Sequence, residues 1–90
     1  MLVLPAELTH DQATACCRML AEALRRQPET AVVADAAALE RFDSSALAVL
    51  LECRREALAI GKTFSVARMP QRLRELATVY GVAQLLPAAP

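Results

Sequence analysis

Hydrophobic positions come in blocks along this chain, and their spacing alternates between that of a strand and that of a helix. Met1-Leu2-Val3-Leu4 is a short apolar run cut off by Pro5, which reads as a strand. From Thr9 the period changes. Ala13, Cys16, Cys17, Leu20, Ala23 and Leu24 recur at intervals of three and four, while Arg18, Glu22, Arg25 and Arg26 fall largely elsewhere. That pattern predicts an amphipathic helix with one buried face. Thr9-His10-Asp11-Gln12 supplies a capping box at its start, and Gln27-Pro28-Glu29 ends it.

Ala31 to Ala34 is a continuous small-aliphatic run, expected to be a strand covered on both faces, with Asp35 leaving the core at its end. Residues 36–42 lead to a second helix. Asp43 is its expected N-cap, and Ser44 and Ser45 are its first two residues. The helix runs to about Ala59, with Ala46, Leu47, Leu50, Cys53, Ala57 and Leu58 on its buried side. Ser44, Ser45, Ala48, Val49, Glu52, Arg55 and Glu56 fall on the opposite side. Arg54 lies near the buried side, where its stem can pack while the guanidinium reaches out. Gly61 is a left-handed terminator, and Thr63-Phe64-Ser65-Val66 alternates as a half-exposed strand does. Pro70 opens a third helix whose stripe is Leu73, Leu76, Ala77 and Tyr80, closed by Gly81. Leu85-Leu86 before Pro87 fits a last short strand, and residues 86–90 read as a fraying tail. The alternation predicts an α/β class: one domain over 1–90, a largely parallel or mixed sheet, and about three helices.

Composition narrows what such a domain does. Ninety residues allow one modest core, and the hydrophobic fraction of 56% contains no run long enough to span a membrane. Met1 to Leu4 lacks a basic leader, so no signal peptide is expected and the chain reads as cytoplasmic. Net charge is zero with acids and bases interspersed, and there is no Trp. Nucleic acid and direct membrane insertion are therefore not expected. Cys16, Cys17 and Cys53 have no metal-ligand or disulfide spacing and read as small buried apolar residues.

Catalytic chemistry has no constellation to carry it. The only glycines, Gly61 and Gly81, are far apart and form no phosphate loop, and the lone His10 is distant in sequence from the serine pair. Neither an enzyme nor a cofactor is expected. What stands out is the hydroxyl pair Ser44-Ser45 behind Asp43, held at the positive end of a helix where a phosphoryl group is tolerated.

Phe42-Asp43-Ser44-Ser45-Ala46-Leu47, followed by Leu50-Leu51 and Arg54-Arg55-Glu56-Ala57, resembles the central signature of STAS domains. That family includes bacterial anti-sigma-factor antagonists and the MlaB subunit of Mla-type phospholipid ABC transporters. Ala46 stands where the signature has Gly, a change that favours the helix. Leu4-Pro5-Ala6-Glu7-Leu8 is similar to the family's first motif strand, with Ala6 at a Gly position, and Ala31-Val32-Val33-Ala34-Asp35 to its buried strand ending in Asp.

The resemblance implies a non-catalytic accessory subunit that binds the cytoplasmic ATPase of a Mla-type transporter, peripheral to the inner membrane through that partner. The alternative it implies is an anti-sigma-factor antagonist that binds a kinase and is switched by serine phosphorylation. MlaB-like subunits mark the residue after the Asp, here Ser44, and some antagonists mark the next, here Ser45. The expected docking patch is Ser44, Ser45, Ala48 and Val49, exposed together, with Glu52 at its border. Partner identity, lipid and oligomeric state stay open.

Overall fold

The computed structural model describes residues 1–90. Strands β1 (Leu2–Val3), β3 (Ala31–Asp35) and β5 (Thr63–Ala67) form a parallel sheet in the order β1-β3-β5, and β2 (Glu7–Leu8) pairs in parallel with β4 (Arg41–Phe42). Helices α1 (His10–Arg26), α2 (Ser45–Ala59) and α3 (Gln71–Val79) follow β2, β4 and β5 in turn, and a 3-10 turn spans Ala83–Leu85. The α/β class with three helices matches the expectation, and every strand pairing is parallel.

Handedness explains the layering. The chain steps from β1 to β3 to β5 in one direction across the sheet, and right-handed crossovers then place both connecting helices on one face. There α1 and α2 pack against each other. Leu2, Val32, Ala34, Phe64 and Val66 point to that face and are buried with Leu20, Leu24, Leu50 and Cys53 in one cluster.

The other sheet face lacks such a cover. Val3 is 62% exposed, Ala31 and Thr63 are exposed, and Val33 and Ser65 are half-buried. The expectation that Ala31 to Ala34 is covered on both faces is therefore corrected. A strand read as continuous apolar alternates in burial, because no helix crosses to the second face.

Asp35 does not leave the core. It is buried at the end of β3, where its carboxylate accepts the Ala37 N–H at 3.0 Å and a two-pronged contact from the Arg68 guanidinium, whose Nε lies 3.1 Å away. Those bonds hold its pKa below the usual Asp value, Arg68 contributing most. Arg68 adopts a left-handed backbone with φ +54°, a conformation costing about 1–2 kcal/mol for such a residue. Its contact with Asp35 ties down the loop between β5 and α3.

Residues 86–89 are not a loose tail. Leu86 is fully buried, the Val66 N–H donates to the Pro87 carbonyl, and the Ala89 N–H donates to the Val66 carbonyl, both at 2.9 Å. The segment lies along the outer edge of β5, with Ala88 bridging Val66 in parallel. Leu85 ends the 3-10 turn and does not begin a strand. Two further residues placed on buried stripes are at the surface: Leu58 is 49% and Tyr80 59% exposed.

Candidate functional site

Asp43 is where the two long helices meet. Its backbone carbonyl accepts the Ala46 N–H at 3.0 Å, and its Oδ1 accepts the Ser45 N–H at 2.8 Å, the capping bond expected of Asp43, although α2 begins at Ser45 with Ser44 as its N-cap residue, one position later than expected. Its second oxygen, Oδ2, accepts the N–H of His10, the first residue of α1, at 3.1 Å. One carboxylate thus satisfies donors from two helix starts. These bonds, the one from Ser45 first, hold the Asp43 pKa below the usual range. At α1 the side-chain oxygen of Gln12 accepts the Thr9 N–H at 2.8 Å and the Thr9 hydroxyl at 2.7 Å, so the start of that helix is fixed from both sides.

The strand before the motif is fixed as well. The Ala6 carbonyl accepts the N–H groups of Glu40 and Arg41 at 2.8 and 2.9 Å, which brings β4 alongside β2. Phe42 then packs against the core, and the Arg72 guanidinium of α3 lies 4.6 Å from its ring centroid. The start of α2 is therefore held by α1 on one side and by α3 on the other.

The two serines differ. Ser44 has helical backbone angles, is exposed, and its hydroxyl makes no capping bond. Ser45 is half-buried on the side of α2 that faces α1. A recess of about 250 Å3 opens beside Ser44, formed by Leu47, Ala48 and Leu51 of α2 with Tyr80 and Val82 from the end of α3. The surface around Ser44 is thus apolar, with Ser44 supplying the hydroxyl.

The expected docking patch is not one surface. Val49 is only 2% exposed and belongs to the core cluster, so the expectation that it is presented with Ser44, Ser45 and Ala48 is corrected. The cause is α1. Ser45, Val49, Glu52 and Glu56 recur at four, three and four, a stripe that turns toward α1. Ser44, Ala48 and Leu51 turn toward α3. Glu52 is half-buried, pairs with Arg55, and borders the groove between α1 and α2 and not the recess at Ser44. Sequence reasoning missed Leu51, Tyr80 and Val82 in this recess, although Tyr80 directly precedes the terminating Gly81, where helix cover ends.

The cysteines sit where α1 meets α2. Cys16 and Cys53 are buried and Cys17 half-buried, all as free thiols. Burial pushes each thiol up, Cys53 to about 12, so all three are protonated and weakly nucleophilic near neutrality.

An Asp-led helix start with paired hydroxyls, set between parallel βα units, is the arrangement of a STAS domain. The family model described as "Mlab, STAS domain" matches residues 1–87, and the chain belongs to that family. The anti-sigma-factor antagonist SpoIIAA, solved in its unphosphorylated form, has a similar fold at TM-score 0.74 and 19% identity. The match covers 98% of this chain and 76% of that one. A comparison with curated proteins returns no match.

Proposed function

We propose that this chain is a non-catalytic accessory subunit that binds the cytoplasmic ATPase of a bacterial Mla-type phospholipid ABC transporter. The observation that carries the reading is the family match, whose description is MlaB, running over residues 1–87. The apolar recess beside Ser44 supports it, since a protein partner gains most from burying such a patch with one polar anchor at its border. In this reading the ATPase inserts an apolar side chain against Leu51, Tyr80 and Val82, and Ser44 lies at the rim of the contact. The chain then sits at the inner membrane through its partner. No helix of the chain is long and apolar enough to cross a membrane.

The exposed hydroxyl of Ser44 favours a second reading, an anti-sigma-factor antagonist switched by a kinase. A phosphate there adds about −1.5 to −2 charges, which the helix start tolerates and an apolar contact does not. Both readings make Ser44→Asp a variant that folds and releases its partner.

Calorimetry with the purified transporter ATPase tests the first reading. Wild type should bind, and Ser44→Asp and Tyr80→Glu should each weaken binding by about tenfold or more, with melting curves close to wild type. Unchanged affinity in both variants would move the interface away from the recess. No binding of the ATPase by wild type, together with kinase-dependent phosphate on Ser44 or Ser45 by mass spectrometry, would select the second reading.

A further inference from the structure

The groove between α1 and α2 has a charge pattern that the docking recess does not use. It holds about 560 Å3, with Ala13, Cys17 and Ala21 of α1 and Ala48 of α2 among its lining residues. Side chains this small let another helix approach closely. The α1 wall carries Arg18 and the α2 wall carries Glu52. At the far end the groove is crossed by the Arg25–Glu56 ion pair at 3.7 Å. Arg18 has no acidic partner within the chain, and Glu52 is paired only with residue Arg55 of its own helix.

The levels of these charges follow from Asp43. Its carboxylate binds the first residue of each helix, so α1 and α2 start side by side at the same end of the sheet and run in the same direction. Arg18 lies eight residues past His10 and Glu52 seven past Ser45, which is about 12 and about 10.5 Å along the two axes. The basic and acidic walls therefore face across the groove at nearly one height.

We propose that this groove is the contact surface for a second copy of the same chain, joined by a twofold axis that runs along the groove. Such an axis keeps every height and exchanges the two walls, so α1 of one copy lies over α2 of the other. Arg18 then meets Glu52 of the second copy, and the pair occurs twice. A surface with one basic and one acidic wall at matched height is self-complementary under this operation. A net charge of zero means that no long-range repulsion opposes the approach. This interface goes beyond the proposed ATPase contact. The two surfaces meet only at Ala48, which lines both.

Sedimentation velocity over micromolar to millimolar concentration tests it, at low salt and at high salt, where the screening length falls from about 30 to about 3 Å. The expected result is a monomer–dimer equilibrium that high salt shifts to monomer. Arg18→Glu and Glu52→Arg should each weaken the dimer by about tenfold or more, since each puts like charges opposite one another. An equimolar mixture of the two variants should recover it, because every facing pair in the mixed dimer is again opposite in sign. The double variant R18E/E52R should recover it alone. Melting curves near wild type separate lost association from lost folding, as both positions are at the surface. A monomer at every concentration in low salt would overturn the proposal, and so would a dimer that neither substitution weakens.

Discussion

Asp43 binds two helix starts with one carboxylate, and the sign of its effect on stability follows from its pKa. The folded value is depressed, the Ser45 bond being the largest cause, whereas an unfolded Asp titrates near about 3.9. Its contribution is present above that pH and disappears as pH falls through the folded value. Asp43→Asn should therefore melt below wild type at neutral pH, and the gap should close on acidification, which thermal melts across the acid range would show. A gap that stays constant to the lowest pH would mean that ionised Asp43 does not hold the helix starts. The Ser45 half of this device was legible in the sequence, because an N-cap acts within two residues. The His10 half was not: its partner lies 33 residues away and only the β2–β4 pairing brings them together.

Helix α2 has two covered sides, which is why Val49 is buried against expectation. Periodicity assigned a single buried stripe through Leu47, Leu50 and Cys53, and those residues are buried. The sheet accounts for that stripe, while α1 covers a second side and takes in Val49. Adjacent Ala48 and Val49 then have opposite fates, one exposed and one core. Val49→Glu should lose about 3 kcal/mol or more by urea unfolding, because the side chain is 2% exposed within the core cluster and a carboxylate there is taken out of water. Ala48→Glu should stay within about 0.5 kcal/mol of wild type. Equal stability of the two variants would put Val49 at the surface after all. Helix caps, turns and the small-aliphatic strand were legible because they are local patterns. Which helix sides meet another helix depends on crossover handedness and on strand order, neither of which local periodicity encodes.

At the scale of the molecule, three strands stepping in one direction place both crossover helices on one face and leave Val3, Ala31 and Val33 on the other with little cover. The order of elements and the parallel class followed from alternation, but this one-sidedness did not. The end of the chain was read as loose because Pro, Ala and Ala carry no pattern, yet Pro87 to Ala89 pair with Val66. A chain ending at Leu86 keeps the buried leucine and removes only that pairing. It should fold with the same circular dichroism and scatter light on warming at concentrations where the full chain stays clear. A truncated chain as free of scatter as the full one would show that the edge is protected in another way.

That strip also sets how far the sheet can be extended by other molecules. A polymer of stacked strands needs two open edges on every copy, one to accept and one to offer. Here the β5 edge is covered at Val66 by residues 87–89, and the other outer strand of this sheet, β1, is two residues long. Copies that meet through β1 would use up the free edge of each, so that route ends at a pair and cannot propagate into a fibre.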